Sequence, residues 1–181
     1  MVLTACALTS AVGCSSDTGV DEKPEKATPS TAAGKPSPSA DPTQAAETAA
    51  VDAYAGYWRT LETLYADSSS NTDQLKKVAS GLALVNVERD VKQLHDKGNL
   101  ITGNVSVVDS TVTASDIDRK APKVVLTSCL DITKWTVVKA STKKPLPLPS
   151  TRLTKYLVTS TLERWPQGWV VIEDKPQGKA C

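Results

Sequence analysis

The chain has no Phe, one His and one Met in 181 residues, and these absences narrow its chemistry before any motif is considered. A single imidazole leaves no His cluster for a metal, so a zinc site would fall to carboxylates alone, a donor set that zinc seldom uses. Neither a Gly-rich phosphate loop nor a Ser in a G-x-S-x-G setting occurs, which removes common signatures of nucleotide binding and serine hydrolysis. The formal net charge of +1 gives no basic excess to grip a phosphate backbone, so no nucleic-acid partner is expected. No apolar run reaches the roughly 18 residues that a membrane-spanning helix needs. Neither a cofactor nor a metal is expected.

What apolar sequence there is begins at the N-terminus. The run from Val2 to Gly13 suits the apolar region of a signal peptide, about 7–15 residues. No Lys or Arg precedes it, so the start of translation is expected upstream of Met1. The run ends in Ala11-Val12-Gly13-Cys14, followed by Ser15-Ser16-Asp17. This resembles a bacterial lipobox, in which small residues precede a Cys that takes a diacylglycerol and becomes the mature N-terminus. Leu3-Thr4-Ala5-Cys6 is a second match, but it lies very close to Met1. Cys14 is therefore the expected lipidation site and residues 1–14 the expected signal segment. Residues 15–41 contain one Val and no aromatic residue. Such a segment cannot bury enough apolar surface to offset its ordering entropy, and it is expected to be a disordered tether. The expected location is the extracellular face of the cell membrane, with the membrane itself as partner through the lipid anchor.

Cysteine usage agrees with export. With Cys6 removed and Cys14 acylated, Cys129 and Cys181 remain. Two cysteines allow one pairing, and an oxidising exterior favours it.

The folded part is expected over residues 42–181. Asp41 is placed to cap a helix, Pro42 to occupy its first position, and Gln44 to sit where a capping box takes Glu or Gln. Ala46, Ala50, Tyr54, Trp58, Leu61 and Tyr65 then recur at intervals of three and four, the spacing of an amphipathic helix. A short helix is predicted from Asp73, and a third, with Leu84, Val87, Val91 and Leu94 on one face, ends at Gly98. Beyond it the sequence turns β-branched, with strands predicted around "ITGNVSVVDSTVTASDI", "KVVLTSCLDI", "KWTVVKA", "RLTKYLVTSTLERW" and "GWVVIED". A break is expected near Asp109, a tight turn at "WPQGW", and a proline-rich loop at "KKPLPLPS". Helices first and strands after argue for an α+β domain with N-terminal helices packed on a curved antiparallel sheet.

This order resembles the nuclear-transport-factor-2-like, or cystatin-like cone, fold. More narrowly, the chain is similar to a group of uncharacterised actinobacterial secreted proteins and lipoproteins. The features that carry the similarity are "AVDAYAGYWRTLETLYADS", "ASGLAL", Gly98 and Gly103 around the first strand, "LTSCLDITKW" and the terminal "GWVVIEDKPQGKAC". The resemblance implies a cone-like domain and an exported location. The fold hosts isomerases, cyclases, dehydratases and many binding modules, so it assigns no activity by itself.

Enzymes of this fold place an Asp or His base inside the cone, opposite a neutral donor such as Tyr. His95 lies at a helix end beside Asp96 and Lys97, where the helix dipole favours it whatever its role. Asp131 is the weak catalytic candidate. Alternation puts Thr127, Cys129 and Asp131 on one strand face and Leu126, Ser128, Leu130 and Ile132 on the other. Asp131 could equally open a turn and hydrogen-bond its own backbone. Tyr54, Tyr57, Trp58 and Trp135 are expected to pack the core or line a pocket. The leading expectation is an exported, membrane-tethered, non-catalytic binding or assembly module of the cell envelope, with an envelope protein or an apolar small ligand as partner. The alternative is a small isomerase or cyclase acting on an apolar ketone, with Asp131 as base and Tyr54 or Tyr57 as donor. A homodimer through the sheet face, with Trp165 or Trp169 in it, is a further expectation.

Overall fold

A computed structural model describes residues 41–181. The lipobox at Cys14 and all but the last residue of the 15–41 tether lie outside the described residues. Helix α1 runs from Pro42 to Ala66. Its first turn is set by Asp41, whose Oδ1 accepts from the Thr43 N–H at 2.9 Å, and by Pro42, whose missing N–H costs nothing there. The three-and-four spacing buries Ala50, Tyr54, Tyr57, Trp58, Leu61, Leu64 and Tyr65 along one stripe. Helix α2 is a single turn, Leu75–Val78, and α3 runs from Gly81 to Asp96. Gly98, at φ +65°, follows its end, the left-handed position that terminates many helices.

Six strands follow, all paired antiparallel. β1 (Asn99–Thr102) pairs with β4 (Thr136–Lys139) in a small two-stranded sheet. β2 (Ser106–Asp116), β3 (Lys123–Asp131), β5 (Lys155–Trp165) and β6 (Gly168–Pro176) form a four-stranded sheet in the order β2-β3-β5-β6. The domain is thus α+β, helices packed on antiparallel sheet. The antiparallel strands expected from the sequence divide between these two sheets. The division falls at Gly103, where φ is +102° and any Cβ would collide with the Lys134 carbonyl. Glycine lets the chain turn out of one sheet and into the other there. Asp109, at φ +52°, marks the register shift expected in β2, and the Trp165↔Gly168 pair closes the β5–β6 hairpin at "WPQGW".

The core lies between the helices and one face of the larger sheet. Val124, Leu126 and Leu130 of β3 and Val158 and Leu162 of β5 supply that face, each fully buried. Burying such a side chain contributes roughly 1.5–3 kcal/mol. The opposite face carries Thr127, Thr159, Thr161, Glu163, Glu173 and Lys175. Beyond β6 the chain stays paired alongside β5, where the Leu157 N–H donates to the Lys179 carbonyl at 2.8 Å, and Cys181 then reaches Cys129 of β3 in a disulfide with Cα atoms 5.9 Å apart. The edge of β6 is partly covered, because the Ser80 N–H donates to the Val171 carbonyl at 2.9 Å where α2 gives way to α3.

Candidate functional site

Three elements meet around one inward carboxylate. On β5 and β6 the pairing Ser160↔Asp174 puts both side chains on the core face, and α1 brings Tyr54 down onto them. Asp174 Oδ1 accepts from Tyr54 Oη at 2.9 Å and from Ser160 Oγ at 2.6 Å. Ser160 is fully buried and Asp174 half-buried. Asp174 also forms part of the wall of a cavity of about 290 Å³ between α1, α3 and the sheet. Tyr57, Trp58 and Tyr65 of α1, Trp135 from the β3–β4 connection and Tyr156 of β5 complete its aromatic lining, with Arg89 and Asp90 of α3 contributing as well.

Electrostatics follow from this placement. Burial pushes the Asp174 carboxyl up to about 6, against the Ser160 and Tyr54 hydrogen bonds, which pull it down. The ion pairs of the described residues lie elsewhere, so no Lys or Arg neutralises Asp174 among them. Burial also raises Tyr54, Tyr57 and Tyr65, and the charge of Asp174 adds to the effect, so their hydroxyls stay protonated. The rings pack edge to face or tilted: Tyr57–Trp58 centroids are 5.8 Å apart, Trp58–Trp135 6.0 Å and Tyr65–Trp135 5.4 Å. The buried indole nitrogens of Trp58 and Trp135 have no hydrogen-bond partner. Trp58 Nε1 lies near enough to the Tyr54 oxygen to oppose its raised pKa, yet short of hydrogen-bond geometry. A wider depression of about 620 Å³ beside the α1–α2 turn is lined by Arg59, Asp67 and Asp73. All three are exposed, so it lacks the desolvated charge that distinguishes the Asp174 cavity.

The sequence candidates fall on both sides of this boundary. Tyr57, Trp58 and Trp135 line the cavity, and Tyr54 holds Asp174 from behind. Asp131 is not in its lining. Its Oδ1 accepts from the Thr133 N–H at 2.9 Å and its Oδ2 pairs with Lys155 Nζ at 2.9 Å. These bonds hold its carboxyl well below the usual range, the reverse of what a base in an apolar pocket requires. Asp131 therefore makes the turn, the other role its sequence offered, and has no place in the cavity wall. His95 Nδ1 lies 2.6 Å from Ser70 Oγ, away from the cavity lining. Trp169 is partly buried against the core, and Trp165 Nε1 donates to Glu163 Oε2 at 3.3 Å.

Asp174 is the residue that sequence reasoning missed. Strict alternation in "GWVVIED" from the inward Val171 would send Glu173 inward and Asp174 out. A register shift lies there: Thr161 pairs with Glu173, while Leu162 pairs with Val171, so Ile172 is the extra residue. The bulge reverses the phase and turns Asp174 toward the core. Only the adjacent buried pair Val170-Val171 hints at it.

No protein-family model and no curated protein matches the chain. Among solved structures, the crystal structure of the intermembrane space region of the chloroplast protein ARC6 is similar in fold, with a TM-score of 0.50 and 10% identity. That match covers 72% of this chain and 95% of that one. The putative transfer protein TraH from the Gram-positive conjugative plasmid pIP501 matches at TM-score 0.41 and 8% identity, over 72% of this chain and 92% of its own. A protein from Kribbella flavida matches at TM-score 0.41 and 10% identity, over 74% of this chain and 90% of its own.

Proposed function

We propose that the protein is an exported, membrane-tethered, non-catalytic binding module, with its ligand held in the Asp174 cavity. We read the arrangement as cone-like and nuclear-transport-factor-2-like, and the chain as similar to actinobacterial secreted lipoproteins anchored through Cys14. The Cys129–Cys181 disulfide accords with an oxidising compartment. The observation that carries the binding reading is the cavity itself: five aromatic side chains around one half-buried carboxylate without an ion-pair partner among the described residues. Concave, mostly apolar sites with few convergent polar groups are where small ligands bind. Against catalysis stands the use of Tyr54, whose proton is committed to Asp174 and so cannot also polarise a substrate carbonyl.

The test is a screen of small aromatic fragments against the full chain, read by shifts of the Val87 and Val158 methyl resonances, which line the cavity. Binding is expected to move both methyls and to be lost in Ala83→Phe, which fills the cavity from α3. A screen in which no fragment moves them would overturn the reading.

The second reading, an isomerase or cyclase acting on an apolar ketone, is favoured by one observation. A carboxyl at about 6 is matched to base catalysis near neutral pH. Its base would be Asp174. Deuterium exchange at the α-carbon of simple cyclic ketones, lost in Asp174→Asn, would establish it against the binding reading.

A further inference from the structure

Resting on the binding reading, we propose that the Asp174 cavity recognises a methylated organic ammonium group, seated against the aromatic walls with Asp174 as its counter-charge. A half-buried carboxylate stands in the cavity wall with no Lys or Arg paired to it among the described residues. Leaving a buried charge unpaired is costly, and a cationic ligand supplies the missing partner. The nearby protein cations are already engaged: Arg89 Nε lies 3.7 Å from Asp90 Oδ1, and Arg152 donates to the Trp135 carbonyl at 3.5 Å.

The walls select the kind of cation. Tyr57, Trp58, Tyr65, Trp135 and Tyr156 surround the cavity, and the faces of Trp and Tyr attract cations through the ring quadrupole. A primary ammonium would bring three N–H donors, each needing an acceptor. Yet Asp174 Oδ1 already accepts two hydrogen bonds, which leaves Oδ2 as its open acceptor for three donors, and the free polar atoms of Trp58 and Trp135 are themselves donors. A methylated nitrogen has no such demand. It presents a diffuse positive charge on a methyl surface, which aromatic rings and a single delocalised carboxylate can satisfy. The volume of about 290 Å³ admits a trimethylammonium group with a short chain attached.

Binding should follow the ionisation of Asp174. The charged or titratable groups around it are Tyr54, Tyr57 and Tyr65 from α1, Arg89 and Asp90 from α3, and Tyr156 from β5. Burial raises all four tyrosines, so they carry no negative charge near neutrality. With Asp174 at about 6, its ionised fraction, and hence the affinity for a cation of fixed charge, falls roughly tenfold between pH 7 and pH 5.

The experiment compares choline with its neutral isostere 3,3-dimethylbutan-1-ol on the full chain, read by the Val87 and Val158 methyl shifts and repeated in Asp174→Asn. Choline is expected to bind at least tenfold more tightly at pH 7, to weaken roughly tenfold by pH 5, and to lose its advantage in Asp174→Asn, where the isostere still binds. Equal affinity for the two would overturn the ammonium proposal and leave the cavity as a ligand site. Failure of both to move the cavity methyls, with no fragment binding there, would overturn the binding reading as well.

Discussion

Replacing Cys181 with serine is expected to lower the stability of the domain by about 4 kcal/mol, from the chain-entropy cost of freeing a loop of this length. Cys129 and Cys181 are 52 residues apart, and the bond between them holds the denatured ensemble to a closed loop. It also pins the C-terminal residues to the sheet beyond β6, where the Lys179 carbonyl accepts from the Leu157 N–H and the Gln177 N–H donates to the Leu157 carbonyl. Urea unfolding of the full chain measures the change, with Cys6 and Cys14 replaced by serine in both proteins so that no other pairing forms. Reduced protein with Cys129 and Cys181 intact should unfold at the midpoint of the variant. A loss below about 1 kcal/mol would show that the denatured chain is already restrained without the bond.

Stability is expected to rise, not fall, as pH drops from 7 to 4, by up to about 3 kcal/mol from Asp174. The sign follows from linkage. Burial pushes the Asp174 carboxyl up to about 6 in the folded state, well above the ordinary carboxylate range of the unfolded chain. Between those values the native state binds more protons than the unfolded state, so lowering the pH through 6 towards 4 favours folding. Below that window the effect is complete and other groups take over. Asp131, held low by Thr133 and Lys155, stabilises the ionised native state, and its contribution is lost as the pH falls below the unfolded value. Asp67, lowered by its bonds from Ser69, acts in the same direction. Asp174→Asn removes the buried carboxyl. Between pH 4 and 7 its stability profile should lie flatter than that of the parent. Parallel profiles would mean that Asp174 is solvated.

The elements were readable to different depths. Helix α1 could be read in full, because its stripe from Ala50 to Tyr65 keeps helical spacing and its start carries both a side-chain cap and a proline. The β5–β6 hairpin and the break at Asp109 could also be read, since turn residues and alternation report local backbone geometry. What depends on strands meeting was hidden. The split into two sheets rests on Gly103 approaching Lys134, thirty-one positions away along the chain, and nothing local encodes that contact. The candidate site was half legible for the same reason. Its aromatic lining from α1 follows from periodicity, whereas Asp174 is turned inward by a bulge that exists only because Thr161 and Leu162 face Glu173 and Val171. Alternation made Asp131 attractive, but alternation assigns a face and not a partner. Lys155 and Thr133 supply that partner on the outer side.

The measurement that tests the central claim most directly is the titration of the Asp174 side-chain carboxyl by carbon NMR on the full chain, with and without saturating choline. The expected result is a midpoint near 6 in the free protein, moving down by about two pH units when choline is bound, the counterpart of a roughly tenfold loss of affinity between pH 7 and pH 5. A midpoint below about 4, unmoved by choline, would mean that the carboxylate is open to water and that the cavity holds no site for a cation.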